Sequence, residues 1–219
     1  GDVIPKVVKV VESKGKKSFA IPKTCPECLG KVVKEKEKDV AYRCINPSCP
    51  AQLERGLIHF ASRQAMDIEG MGEAAVRQLV KLKLVKNFAD IYKLKEEDLF
   101  KLELFKDKKI QNLLSAIQKS KSQPLSRFIY ALGIRHVGEK VAFVLARQFK
   151  TLDNLLAAKY EDLDKIYEVG PVVAKSIVDY FSCVSTKKLI EDFKKAGLNL
   201  KEQVPAVKHT ALSGKTVVF

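Results

Sequence analysis

Between Ala51 and Leu198 apolar residues return every three or four positions, as in Ile110, Leu113, Leu114 and Ile117 and again in Val141, Val144 and Leu145. That is the period of a helix with one buried face, and short glycine-containing breaks divide it into many helices. The spacing predicts a compact, mainly α domain over residues 53–200. Residues 1–22 read differently. Val3-Ile4, Val7-Val8 and Val10-Val11, interrupted by Pro5, and Ser18-Phe19-Ala20-Ile21 before Pro22 predict one or two strands, too few to close a domain. They are expected to end a β-domain whose remainder lies upstream. Within residues 23–52, Lys31-Val32-Val33-Lys34 and Val40-Ala41-Tyr42-Arg43 predict two short strands. The alternating charges from Lys34 to Asp39 suit a solvated hairpin tip between them.

That hairpin is framed by cysteines. Cys25-Pro-Glu-Cys28 and Cys44-Ile-Asn-Pro-Ser-Cys49 lie fifteen residues apart, the spacing of a structural zinc site. Each pair brings two sulfurs to one turn, and four thiolates complete a tetrahedron with no position left for water. Disulfides are the competing reading. A lysine-rich composition without a signal-peptide pattern or a membrane-length apolar run favours thiolates over disulfides. Cys183, beside Tyr180 and Phe181, is expected to be a core thiol.

A second pattern repeats in the helical region. Ile68-Glu69-Gly70-Met71-Gly72-Glu73-Ala74-Ala75, Leu132-Gly133-Ile134-Arg135-His136-Val137-Gly138-Glu139-Lys140-Val141-Ala142 and Ile166-Tyr167-Glu168-Val169-Gly170-Pro171-Val172-Val173-Ala174 each put glycine directly before an amphipathic helix. Glycine adopts backbone angles closed to other residues and lets a phosphate approach the chain. The first turn of the next helix offers unpaired N–H groups at the positive end of its dipole, so the hairpin is a candidate phosphate cradle. Ala75, Ala142 and Ala174 would let helices cross closely, while Arg77, Lys140 and Lys175 add charge nearby. A fourth copy, Leu102-Glu103-Leu104-Phe105-Lys106-Asp107-Lys108-Lys109-Ile110, lacks glycine and is expected to pack rather than to bind.

Charge supports an anionic partner. Lys and Arg number 40 against 26 Asp and Glu, a net charge of +14 spread along the whole chain rather than gathered in a tail. Such a balance favours nucleic acid, with solubility as the alternative. No Ser/His/Asp set or carboxylate pair points to catalysis.

Together these residues resemble bacterial NAD-dependent DNA ligases. The resemblance is carried by Cys44-Ile-Asn-Pro-Ser-Cys49-Pro50-Ala51-Gln52, Gly56-Leu57-Ile58-His59-Phe60-Ala61-Ser62-Arg63, Met66-Asp67-Ile68-Glu69-Gly70-Met71-Gly72, Ala131-Leu132-Gly133-Ile134-Arg135-His136-Val137-Gly138 and Val169-Gly170-Pro171-Val172-Val173-Ala174. It implies that residues 1–22 close an OB-fold domain, that 23–52 form a four-cysteine zinc finger and that 53–200 hold four helix-hairpin-helix motifs. Residues 201–219 would be a linker and the first strand of a BRCT domain, in Leu212-Ser213-Gly214-Lys215-Thr216-Val217-Val218-Phe219.

The implied parent activity is nick sealing in replication and repair, with NAD as adenylate donor and Mg2+. The family's nucleophilic lysine lies in a Lys-x-Asp-Gly motif, which does not occur in these residues. The fragment is therefore expected to bind duplex DNA, nicked and without regard to sequence, and to perform no catalysis itself. The implied DNA contacts are Gly70, Met71, Gly72, Gly133, Arg135, His136, Val137, Gly138, Lys140, Val169, Gly170 and Lys175. The zinc finger would bridge its two neighbours, in a monomeric, cytoplasmic, nucleoid-associated bacterial protein that touches no membrane. For His136 a DNA contact and a solvent-facing or capping role both fit; His59, between Ile58 and Phe60, reads as packed. A topoisomerase, an excision-repair nuclease or a protein-interaction module are the other readings.

Overall fold

The computed structural model describes residues 8–9, 20–30, 32–34, 41–44 and 49–202. The strands expected at Val3–Val11 apart from residues 8 and 9, Ser18 and Phe19 of the next, the charged tip at 35–39 and the segment 203–219 lie outside them. The chain divides into two compact units between Cys49 and Pro50.

The first unit contains an antiparallel pair, β1 (Val32–Lys34) and β2 (Tyr42–Cys44), with Val32 opposite Cys44 and Lys34 opposite Tyr42. Among the described residues β2 starts at Tyr42, after Ala41, and runs on to include the cysteine that follows Arg43. Ahead of β1 a tight turn folds the first cysteine pair: Cys25 N–H donates to Gly30 O at 2.7 Å and Leu29 N–H to Cys25 O at 2.9 Å. Val32 N–H then donates to Lys23 O at 2.9 Å, which brings the start of β1 beside the entry to that turn.

The second unit is helical. Its first half runs α1 (Pro50–Ala61), α2 (Glu73–Lys81), a 3-10 helix (Phe88–Lys93), α3 (Glu96–Leu99) and α4 (Asp107–Ser120). Its second half runs α5 (Leu125–Ala131), α6 (Glu139–Phe149), α7 (Leu152–Ala157), α8 (Tyr160–Asp164) and α9 (Pro171–Ser182), after which α10 (Val184–Lys195) has no counterpart. The halves correspond element by element. The N-terminus of α3, where Asp98 accepts from Lys95 N–H at 3.2 Å, recurs 64 residues on at α8, where Asp162 accepts from Lys159 N–H at 3.1 Å.

Aromatic rings join the halves. The Phe60 ring from α1 stacks on Phe193 of α10 with centroids 5.6 Å apart, and Phe128 of α5 meets Phe193 edge-on at 5.1 Å. Tyr92 of the 3-10 helix closes the group, edge-on to both Phe60 and Phe193. Burying several such rings in one place supplies much of the drive to fold, because each removes a large apolar area from water. Around them Ile110, Leu113, Ile117, Leu145 and the small Ala75, Ala142 and Ala174 are buried, while Leu114, Val141 and Val144 of the same stripes are half-buried.

One expectation is corrected. Cys183 is exposed, with its thiol turned to Asp179 O at 3.4 Å. Helix α9 stops at Ser182 and Cys183 is extended (φ −64°, ψ 132°), so it leaves the helical period that carries Phe181 inward.

Candidate metal centre and nucleic-acid interface

Four sulfurs converge in the first unit. The Sγ atoms of Cys25, Cys28, Cys44 and Cys49 all lie within 4.8 Å of one another, with Cys25–Cys49 at 3.8 Å and Cys28–Cys44 at 3.4 Å. Thiolates about 2.3 Å from one tetrahedral ion stand about 3.8 Å apart, whereas a disulfide requires about 2.05 Å. None of the four is disulfide-bonded. Cys25 and Cys49 are buried and Cys28 and Cys44 half-buried, which shields the centre on one side. The β1–β2 register supplies Cys44, the turn after Lys23 supplies Cys25 and Cys28, and Cys49 returns from the segment leading to α1. The cluster fits a structural zinc ion held wholly by protein sulfur.

In the second unit one turn occurs four times among the described residues. Met71 N–H donates to Ile68 O at 3.2 Å, Phe105 to Leu102 at 3.4 Å, Val137 to Ile134 at 3.0 Å and Val169 to Ile166 at 2.9 Å. The turns start every 32 to 34 residues, at Ile68, Leu102, Ile134 and Ile166. In each, the third residue has left-handed backbone: Gly70 (φ 87°), Leu104 (φ 62°), His136 (φ 64°) and Glu168 (φ 75°). The fourth is buried (Met71, Phe105, Val137, Val169), pinning the turn to the core. The fifth is the N-cap of the following helix: Gly72, Lys106, Gly138 and Gly170.

The glycine argument changes here. Gly72, Gly138 and Gly170 have φ of −78°, −84° and −81° with ψ near 180°, extended backbone that any residue adopts. A Cβ added at any of the three would meet nothing within 4 Å. Neither local conformation nor internal packing therefore calls for glycine at these exposed caps. What glycine does provide at Gly72 and Gly138 is access to the amides of the first helical turn, at the positive end of the dipole; after Gly170 that turn starts with Pro171, which has no N–H.

The remaining predicted residues fall around these turns. Gly133 (φ 65°) lies one residue before the third turn, where a Cβ would stand 3.6 Å from His59. Arg135 and His136 are exposed at its tip, while Met71, Val137 and Val169 offer only backbone. Lys140, in the first turn of α6, pairs with Glu168 of the fourth turn at 2.8 Å. Arg77 of α2 pairs with Glu54 at 2.8 Å and with Glu73; hydrogen bonding to Glu54 first, then the charge of Glu73, push its pKa further up. Lys175 is exposed one turn into α9. In the second turn the helix α4 does pack, through Ile110 and Leu113, but the tip residue Leu104 is 90% exposed.

Comparison with known proteins finds matches to both regions. Residues 24–51 match the family model for the NAD-dependent DNA ligase C4 zinc finger domain, which brackets all four cysteines. Over its whole length the chain is 45% identical to a DNA ligase of Endomicrobium trichonymphae, 49% to one of Koribacter versatilis and 47% to one of Natranaerobius thermophilus. The chain is a homologue of part of the DNA ligases. It spans about a third of those relatives, covering 32%, 33% and 34% of their lengths. Residues 127–190 match the helix-hairpin-helix motif, a range that contains the third and fourth turns of this ligase homologue.

Sequence reasoning missed the left-handed third position of the turns, held in three of four by a residue other than glycine. The signal that marks the turns is the apolar pair three apart before each helix: Ile68/Met71, Leu102/Phe105, Ile134/Val137 and Ile166/Val169. No helix among the described residues is long and apolar enough to cross a membrane.

Proposed function

We propose that this chain is the DNA-gripping part of an NAD-dependent DNA ligase, with four helix-hairpin-helix motifs that hold duplex DNA at a nick. The observation that carries this reading is the set of three exposed glycine caps, Gly72, Gly138 and Gly170, which nothing inside the protein requires. A phosphate approaching Gly72 or Gly138 meets the N–H groups of a first helical turn with no cap side chain in the way, whereas at Gly170 Pro171 has no N–H and Val173 N–H donates to Gly170 O at 2.9 Å, which leaves Val172 N–H in that turn. Amide contacts of this kind read no base edges, so they give affinity without sequence choice. At turn 1 the nearby Arg77 is already paired with Glu54 and Glu73, so backbone amides are what the turn offers an anion.

In the parent enzyme NAD supplies the adenylate that activates the 5′-phosphate, with Mg2+, at a Lys-x-Asp-Gly site that these residues do not contain. The chain's own residues bind and align the duplex. We assign it to a monomeric enzyme of bacterial cytoplasm acting in replication and repair.

Fluorescence anisotropy with a nicked duplex, an intact duplex and a single strand across a salt series tests this. The expected result is duplex binding that ignores sequence, is at least as strong at a nick, and weakens steeply as salt rises. Failure to bind duplex at low salt would overturn it in favour of a protein-interaction module.

A further inference from the structure

The helices that lead into the first and third turns cap one another. Helix α1 enters turn 1 through the loop Ser62–Asp67, and α5 enters turn 3 directly after Ala131. From α1, His59 Nε2 lies 2.8 Å from Tyr130 O in the last turn of α5; a carbonyl only accepts, so Nε2 carries the proton. The two rings also meet edge-on, with centroids 4.7 Å apart. In return, Arg127 of α5 reaches into the loop leaving α1, where Nε donates to Ala65 O at 2.7 Å and Nη2 donates to Arg63 O. Gln123 Nε2 adds a third tie, to Met66 O at 3.4 Å. Carbonyls past a helix end have no intrahelical partner, so a donor brought from another element fixes the path of the chain there.

These ties cross from one half of the duplicated unit to the other. We infer that the His59–Arg127 clasp holds turns 1 and 3 as one rigid pair, so that a duplex engaging one is already aligned with the other; His59 and Arg127 are positioning residues. The inference rests on the DNA-binding reading. Two contacts on one rigid body act at high effective concentration, and loosening the link removes that advantage without touching either contact.

The test is a double-mutant cycle in the full 219-residue chain, read by anisotropy on a nicked duplex. Gly138→Asp disables turn 3 by placing a carboxylate in the phosphate's path, and Arg127→Met removes the donors while keeping the bulk. Arg127→Met is expected to weaken binding of the otherwise unchanged chain by about tenfold and to leave binding of the Gly138→Asp chain unchanged, since nothing then remains to be aligned. A merely destabilising substitution would weaken both. His59→Leu should behave like Arg127→Met, while His59→Gln, which keeps a donor, should restore most of the affinity; this pair carries the test if circular dichroism shows Arg127→Met to be unfolded. Equal loss in both backgrounds, or no loss in either, overturns the clasp. Absence of binding by the unsubstituted chain overturns the DNA-gripping reading, and the clasp with it.

Discussion

Glycine does two separate jobs in these turns. At Gly70, in turn 1, the backbone is left-handed (φ 87°), so a Cβ is strained there, although the nearest atoms, on Leu113, are at an ordinary 3.8 Å. At Gly138, in turn 3, the backbone is extended and the surrounding space open. Gly70→Ala should therefore lose about 1 kcal/mol of stability. Gly138→Ala should change stability by less than about 1 kcal/mol, because a stiffer unfolded chain offsets a poorer cap, yet weaken duplex binding. Urea titration and anisotropy on the same two proteins separate these outcomes; a Gly138→Ala chain that binds normally would remove the access argument. Tyr92 presents a different case. Burial pushes its hydroxyl up to about 12, only partly opposed by its bond to Ser120 at 3.2 Å. Its folded pKa is above the unfolded value near 10, so the associated stability is present below pH 10 and lost as pH rises towards 12. Tyr92→Phe is expected to flatten that alkaline loss and to cost about 1 kcal/mol at neutral pH through the abandoned Ser120 oxygen, measured by thermal unfolding at a series of pH values.

Elements follow their period where they are long. Helices α1, α4, α6 and α9 run eleven to fourteen residues and were visible as apolar stripes, whereas α3 and α8, with four and five, span about one turn and leave too few positions for a stripe. Helix α1 also contains a residue that propensity alone would count as a defect. Gly56 lies under the Phe88 ring, and an added Cβ would stand 2.7 Å from its Cζ. Replacing a mid-helix glycine by alanine ordinarily gains about 1 kcal/mol. Here overlap with Phe88, itself packed 5.4 Å from Phe60, should reverse the sign, and we expect Gly56→Ala to destabilise by about 1–2 kcal/mol in urea titration. A stabilised variant would show that the ring moves aside freely.

At the scale of the whole molecule the two units have different sources of stability. Among the described residues the first has two three-residue strands and a four-sulfur cluster; the second has a continuous core of aromatic and aliphatic side chains. Chelation at neutral pH should unfold the first and leave the helical circular dichroism and its melting transition in place; loss of both together would contradict independent folding. The zinc ligands were legible in the sequence because a metal imposes its spacing locally, within two short turns. The helical class was legible because burial of one face writes its period into consecutive residues, and the third and fourth turns showed through the glycines at 138 and 170. Other features rest on partners distant in the chain. That Gly72, Gly138 and Gly170 are extended and open, and that His59 meets a carbonyl 71 residues away, could not be read from local pattern. Sequence alone determined which groups the chain carries and which face each helix buries, since both depend on near neighbours. Only the tertiary structure decided which of those groups meet and which remain open to a ligand, because that depends on where packing brings residues far apart in the chain.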